Sequence, residues 1–363
     1  MNPAVERLLA HKEEIDRRLS KYFNEKVQHA VTASETIEYV KELAERIKDY
    51  NLRGGKRIRP AFVVEGYKAV GGKDLDAIYD AALAAETMEG FLLIHDDVMD
   101  RDEVRRGGRT VHSIYRDWYL ERIDSSLEEA EHFGNSIAVN AGDIVFTLGY
   151  ELLATARFDP ALKVKAIKRY STIARYTGYG QVLDLIIEKL PVEQVTEKHV
   201  MTVHKFKTSL YTVTGPLQIG VILAGGNEDQ LKVMEEYGEN VGIAFQVFDD
   251  ILGMFGDEKK LGKPADSDLK EGKRTLLILK AFERADDEQK QKIKNALGNR
   301  NLTPEQLEEV RNIIKETGAL DYSKQLCLEL VEKGKKALDK ADLDPDSKDF
   351  LVGIADYMVN REY

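Results

Sequence analysis

The chain has 363 residues, 43% of them hydrophobic, with 53 basic and 64 acidic side chains and a formal net charge of −11. That balance excludes the basic stripe of a nucleic-acid binder, so an anionic substrate must be met by a local cation cluster or a bound metal. The single cysteine, Cys327, excludes an internal disulfide and a cysteine-rich zinc site, and fits a reducing cytoplasm.

The start, Met1-Asn2-Pro3-Ala4-Val5-Glu6, lacks the basic and apolar regions of a signal peptide. No run of about 18 apolar residues marks a stable membrane span, so a cytoplasmic protein is expected. Helical periodicity dominates from there on. The spacing predicts helices over 3–22, 34–50, 60–69 and 75–100. Ahead of 60–69 stands Gly54-Gly55-Lys56-Arg57-Ile58-Arg59-Pro60: a flexible turn, three cations, and a proline suited to a first helical turn. Free backbone N–H groups, a positive helix end and clustered cations make an anion site suited to phosphate. The helix 75–100 closes on Asp96-Asp97-Val98-Met99-Asp100, followed by Arg101, Arg105, Arg106 and Arg109 around Gly107-Gly108.

The charged segment 121–133 reads as a mobile surface excursion. Helix 135–156 is apolar and rich in small residues, which predicts burial against another subunit and hence a homodimer. Helix 160–190 follows, then 195–223 with Lys205, Lys207 and Thr208, then 229–255, which ends in Asp249-Asp250-Ile251-Leu252-Gly253. A further basic group, Lys263, Lys270, Lys273 and Arg274, comes next. Helices over 275–284, 287–296, 304–317, 319–340 and 347–361 complete the chain. Being rich in lysine and glutamate, 286–363 reads as an outer layer of solvated helices. No strand is expected, because period-2 alternation bounded by Asn-Gly or Asp-Gly turns is absent, and no linker interrupts the sequence. The expectation is one all-α domain over 1–363, a helical bundle around a central cavity with a motif core at 50–285.

Adjacent carboxylates on an apolar element are costly unless a cation neutralises them. Asp96 and Asp100 stand four apart and share a helix face. Such a face suits Mg²⁺, which takes one or two carboxylates and completes its octahedron with water and phosphate. An apolar helix ending in paired aspartates occurs twice, 153 residues apart (249 − 96).

As an ordered set these segments closely resemble the trans-isoprenyl diphosphate synthases, the head-to-tail prenyltransferases. The resemblance implies that Asp96, Asp97, Asp100, Asp249 and Asp250 form the two aspartate-rich motifs, with Asp96, Asp97, Asp100 and Asp249 as Mg²⁺ ligands. It implies that Lys56, Arg59 and Arg106 hold the diphosphate of isopentenyl diphosphate. Arg105, Lys207 and Lys263, with Lys273 beside them, would hold that of the allylic substrate. Thr208 and Gln246 match positions lining the ionising carbon. Gly180-Gln181-Val182-Leu183-Asp184-Leu185 matches the Gly-Gln-x-x-Asp-Leu signature, and Asn140-Ala141-Gly142-Asp143 the Gly-Asp pair. Two positions depart from the pattern. Glu89 stands where the family places histidine or glutamine against the isopentenyl diphosphate, and repels that anion unless Arg57 or Arg59 neutralises it. Gly253 replaces the last aspartate of the second motif, and Asp257 lies too far along to substitute for it.

The implied reaction is allylic carbon–oxygen cleavage, attack by the isopentenyl double bond, and loss of a proton to the departing diphosphate; His95 and His112 read as structural. In this family the product grows down from the first aspartate run. At ~1.5 Å per residue, Phe91 lies about 7.5 Å and Met88 about 12 Å below Asp96, with the small Ala85, Ala84, Ala82 and Ala81 deeper still. Phe91 followed by the non-aromatic Leu92 points to geranylgeranyl diphosphate, with farnesyl diphosphate as the alternative. A class I terpene cyclase would not need Lys56, Arg59 and Arg106. A catalytically weak regulatory subunit would not need intact aspartates.

Overall fold

Leu8, His11, Ile15, Leu19, Phe23 and Val27 recur at three- and four-residue intervals, so one stripe of the first helix faces inward along its length. That stripe carries α1 (Pro3–Ala33) well beyond the 3–22 read from the sequence. The computed structural model describes residues 2–33, 37–256 and 267–360; the sequence-derived candidates Asp257 and Lys263 lie outside the described residues. Next come α2 (Glu38–Leu52), α3 (Ile58–Ala69) and α4 (Leu75–Asp100). The α4 helix opens where the Asp74 carboxylate accepts from the Ala77 N–H. All of its residues from 81 to 90 are buried, the charged Glu86 and Glu89 among them.

The chain between α4 and the next helix turns through a two-residue hairpin, β1 (Val104–Arg105) with β2 (Gly108–Arg109), paired antiparallel. Arg106 and Gly107 both take positive φ, 51° and 74°, as a tight hairpin with primed geometry requires. This small ribbon is the departure from an all-helical expectation; an Arg-Gly turn carries none of the usual hairpin signal. Then α5 (Val111–Arg122) leads to α6 (Leu127–Thr155). The charged excursion read over 121–133 is therefore mostly helix. Its signal was the Ser126-x-x-Glu129 spacing, since the Ser126 hydroxyl caps α6 by accepting from the Glu129 N–H at 3.2 Å.

By length and composition α6 could cross a membrane. Here one side of it packs on α4 and α5, with Ala138, Ala141, Val145 and Leu153 fully buried, while Val139 and Ile144 are exposed. α7 (Pro160–Lys189) is followed by α8 (Glu197–Val203), a π-helical stretch (His204–Thr214) and α9 (Gly215–Leu223). The helix read over 195–223 is thus continuous but widened by a residue per turn at its centre, a feature that clusters at functional sites. α10 (Glu228–Phe255) starts with a reciprocal Asn227–Gln230 capping box and, like α4, ends in aspartates.

The C-terminal helices α11 (Ser267–Glu271), α12 (Leu276–Arg284), α13 (Asp287–Ala296), α14 (Pro304–Glu316), α15 (Ala319–Ala337) and α16 (Pro345–Val359) follow. They are not the solvated outer layer expected from their lysines and glutamates. Ile314, Leu338, Leu351, Ile354 and Met358 are completely buried. α15 packs along α10, and α16 packs on α1 and α3. Their charges occupy one face only, and the opposite face supplies half of a hydrophobic cluster built on α10. A second cluster gathers α4, α6, α7 and the middle of α1. α3 and α9 give side chains to both.

Candidate active site

The C-terminal end of α4 divides its three aspartates. Asp96 and Asp100, one turn apart, face α7 and the π-helical stretch. The Lys207 ammonium lies 3.7 Å from Asp96 and 2.7 Å from Asp184 on α7. Lys273 lies 3.5 Å from Asp100, 3.6 Å from Asp184 and 2.6 Å from Glu188. The Gln181 amide donates to Asp96 at 3.2 Å. Gly180 makes this convergence possible, because a Cβ there would sit 2.5 Å from the Lys207 backbone nitrogen. Asp97 points elsewhere: one oxygen accepts from the Tyr50 hydroxyl at 2.6 Å and the other from Arg105 Nε at 2.5 Å. It is placed to brace Arg105, whose other arm reaches Asp102 at 2.7 Å and approaches Asp96 at 3.8 Å.

Charge density here is high enough to move proton affinities. Burial, followed by the neighbouring Asp96, raises Asp100 to about 6, and burial raises Asp97 to about 6 against the pull of Arg105. Burial alone would lift Asp184, but Lys207 and Lys273 hold it below the usual carboxylate range. Desolvation would likewise depress Lys207, and Asp96 and Asp184 outweigh it. Among the described residues no three acidic, histidine or cysteine side chains close into a metal cage. The donors are hard carboxylate oxygens on one open face, which fits a cation that keeps water and phosphate in its shell.

On the other flank of α4, Glu89 Oε1 accepts from Arg106 Nη2 at 2.7 Å and lies 2.9 Å from Arg59 Nη1. Arg59 also donates to Thr212 at 3.0 Å and stacks on Tyr211 with its guanidinium carbon 4.2 Å from the ring centre. Its Nε is buried without a partner. The neutralising pair is therefore Arg59 and Arg106. Arg57 is committed elsewhere, to Glu86, to Asp16 at 2.7 Å and to the Asn51 carbonyl. Lys56 is exposed, 5.3 Å from the Tyr357 ring of α16. Arg57, Arg101 and Arg106 all adopt left-handed backbone, φ 52°, 62° and 51°.

Between these flanks the Thr208 hydroxyl donates to Gln246 at 2.7 Å, and the Gln246 amide donates to Asp250 at 2.9 Å. Asp249 is half-buried beside them on α10. The absent aspartate at position 253 leaves no hole, because a Cβ on Gly253 would lie 2.9 Å from an Asp268 oxygen. Asp268, Asp184, Glu188 and Tyr50 are site neighbours that sequence reasoning left without a role, although Asp184 sat inside a quoted signature. Other candidates fall outside. Lys205 pairs with Glu239 at 2.7 Å, Arg109 with Asp117 at 2.7 Å, and Arg274 donates to the carbonyls of Gly272 and Leu190. His95 Nε2 meets the Val139 carbonyl at 3.0 Å across Gly142, a structural contact as expected.

Below Asp96, the Phe91 ring lies 4.5 Å from that of Phe146, which stacks on Tyr170 at 6.0 Å and meets Tyr150 edge-on at 5.1 Å. Leu92 is partly buried beside it. Met88 and the alanines from 81 to 85 are packed tightly into the core, so the depth below Phe91 is filled from α6 and α7.

A helical body in which one helix end separates a carboxylate–ammonium cluster from an arginine pair defines an enzyme of diphosphate chemistry. Residues 41–314 match the polyprenyl synthetase family. The chain is 36% identical over 312 residues to a geranylgeranyl diphosphate synthase of Methanosarcina mazei, covering 85% of this chain and 87% of that one. It is 33% identical over 313 residues to a geranylfarnesyl diphosphate synthase of Aeropyrum pernix, covering 85% and 91%. Its fold is similar to that of a geranylgeranyl pyrophosphate synthase from Corynebacterium glutamicum solved with isoprenyl diphosphate and magnesium (TM-score 0.85, 29% identity, 95% and 99% covered). The chain belongs to the polyprenyl synthetase family. It is a trans-prenyltransferase that makes short-chain prenyl diphosphates.

Proposed function

We propose that this enzyme condenses isopentenyl diphosphate with an allylic diphosphate to give all-trans geranylgeranyl diphosphate. The observation that carries the proposal is the pair of separate sites flanking α4, arginines on one side and carboxylates interleaved with lysines on the other. Arg59, Arg106 and Lys56 bind the isopentenyl diphosphate. Arg105, Lys207 and Lys273 face the allylic diphosphate and neutralise the charge that grows on it as the carbon–oxygen bond breaks. Mg²⁺ held by Asp96, Asp100 and Asp249 would polarise the leaving diphosphate. Thr208 and Gln246 present oxygen dipoles toward the allylic cation. The double bond then attacks, and the departing diphosphate takes the proton.

Phe91 backed by Phe146 supports a twenty-carbon floor. The exposed apolar side chains Val139 and Ile144 of α6 support a homodimer, and the sharing of α3 and α9 by both buried clusters supports one domain. A cytoplasmic location goes with the single buried, free cysteine. The test is incubation with Mg²⁺, radiolabelled isopentenyl diphosphate and each allylic primer in turn, followed by chromatography of the dephosphorylated products. A twenty-carbon alcohol is expected. Failure to incorporate label with any primer would defeat the proposal.

A further inference from the structure

Glu89 is the one carboxylate that stands directly on the arginine pair, and its setting leaves it little freedom. A single oxygen receives both guanidinium groups, at 2.7 and 2.9 Å. The side chain is 11% exposed, so it cannot swing into water without unpacking α4. The charged and titratable groups around it are Glu86 one turn earlier on α4, Arg57 and Arg59 of α3, Arg106 of the ribbon, and Tyr211 beside Arg59. Arg57 is held by Glu86 and Asp16 and is not available as a second partner. Burial, and then the neighbouring Glu89, raise the proton affinity of Glu86.

With the site empty, Arg59 and Arg106 together outweigh burial and keep Glu89 ionised. A diphosphate using the same two arginines must bring its oxygens against that carboxylate. Two anions crowded on one pair of cations raise each other's proton affinity, most of all where one of them is confined. The unpartnered Arg59 Nε offers the incoming anion a donor that Glu89 does not use.

We propose that Glu89 takes up a proton from solvent when the diphosphate of the isopentenyl substrate binds, turning from an acceptor into an O–H donor to a phosphate oxygen. The inference rests on the assignment of Arg59 and Arg106 to that diphosphate. Glu89 then serves as a positioning residue: it holds the arginine pair together in the empty enzyme and makes substrate affinity depend on pH. Uptake of one proton makes affinity fall about tenfold for each pH unit between the titration of Glu89 in the empty enzyme and its higher titration in the complex.

The experiment is isothermal titration of isopentenyl diphosphate, without primer, into the full-length enzyme at pH 8, in buffers of differing ionisation heat. Close to one more proton should be taken up by the wild type than by Glu89→Gln, whose amide oxygen can still accept from both arginines. The KM for isopentenyl diphosphate should rise from pH 7 to 9 in the wild type and stay flat in the variant. Equal proton uptake in the two proteins would overturn the proposal. Should Glu89→Gln fail to fold, a wild-type KM that is flat with pH would overturn it alone. Absence of any binding by the wild type would instead defeat the substrate assignment on which it stands.

Discussion

The two flanks of α4 handle negative charge in opposite ways. On the Arg59 side, two guanidinium groups and Lys56 oppose one carboxylate, so the pocket is positive before any ligand arrives. On the Asp96 side, among the described residues, four carboxylates (Asp96, Asp100, Asp184 and Glu188) crowd around Lys207 and Lys273 with Arg105 3.8 Å from Asp96, so acidic groups outnumber basic ones and a further cation helps this side to accept a diphosphate. The contrast suits the chemistry. The isopentenyl diphosphate is only held through the reaction, and fixed arginine forks do that well. The allylic diphosphate must depart, and divalent cations stabilise a charge that grows during the step.

The largest test of this contrast removes a carboxylate proposed to hold the metal. Asp96→Ala or Asp249→Ala should lower kcat by several orders of magnitude with the thermal melting temperature nearly unchanged, because neither side chain packs in the core. A variant that keeps a tenth of the activity and the same Mg²⁺ dependence would contradict the assignment. Chelation should separate the flanks without mutation. Binding of an unreactive allylic diphosphate analogue, followed by calorimetry, should weaken more than about 100-fold in EDTA, whereas isopentenyl diphosphate binding should change only a few-fold. Comparable losses on both sides would erase the distinction.

Single cations should give smaller, reciprocal effects. Lys56→Ala should raise KM for isopentenyl diphosphate about tenfold or more while sparing the primer, and Lys207→Ala should do the reverse, each in proportion to a lost charge-assisted contact. Acid should weaken function through the carboxylate side. Asp97 and Asp100 are raised to about 6 by burial, so their ionised forms are lost as pH falls through that value. The affinity of the empty site for Mg²⁺, followed by calorimetry, should therefore decline below pH 6, where ordinary aspartates would hold it level to about pH 4. A plateau reaching pH 4.5 would show that neither group must be charged. The gentlest change concerns the product alone. Phe91→Ala should lengthen the prenyl chain with little loss of rate, and adding Phe146→Ala should lengthen it further; chromatography of the dephosphorylated products measures both.

Much of the site was legible because its parts are short, charged and punctuated by helix ends. The paired aspartates, the Gly-Gly-Lys-Arg-x-Arg-Pro turn and the basic loop each announced themselves without tertiary information. What stayed hidden depended on direction. Helical geometry already places Asp97 about 100° around from Asp96, yet only the packed structure shows Tyr50 and Arg105 waiting on that side. The partner of Glu89 was half foreseen: Arg59 was named, but Arg106 arrives through a hairpin whose turn sequence gave no strand signal. The C-terminal helices were misjudged because overall composition conceals a one-sided stripe, and Leu351, Ile354 and Met358 lie on it.

Arg57, Arg101 and Arg106 each hold a left-handed backbone conformation that side-chain-bearing residues adopt reluctantly, at a cost of about 1 kcal/mol apiece. Selection for durability alone would place glycine at all three. Retaining arginine there means that conformational cost is carried in segments beside the site. Two of the three cations have duties that glycine cannot perform: Arg57 ties the Lys56 turn to α1 and α4, and Arg106 grips Glu89. Arg101, exposed at the end of α4, has no such partner among the described residues. Drift toward glycine should therefore be tolerated at 101 and purged at 57 and 106, so that variation among descendants of this chain would itself record where charge outweighs conformational ease.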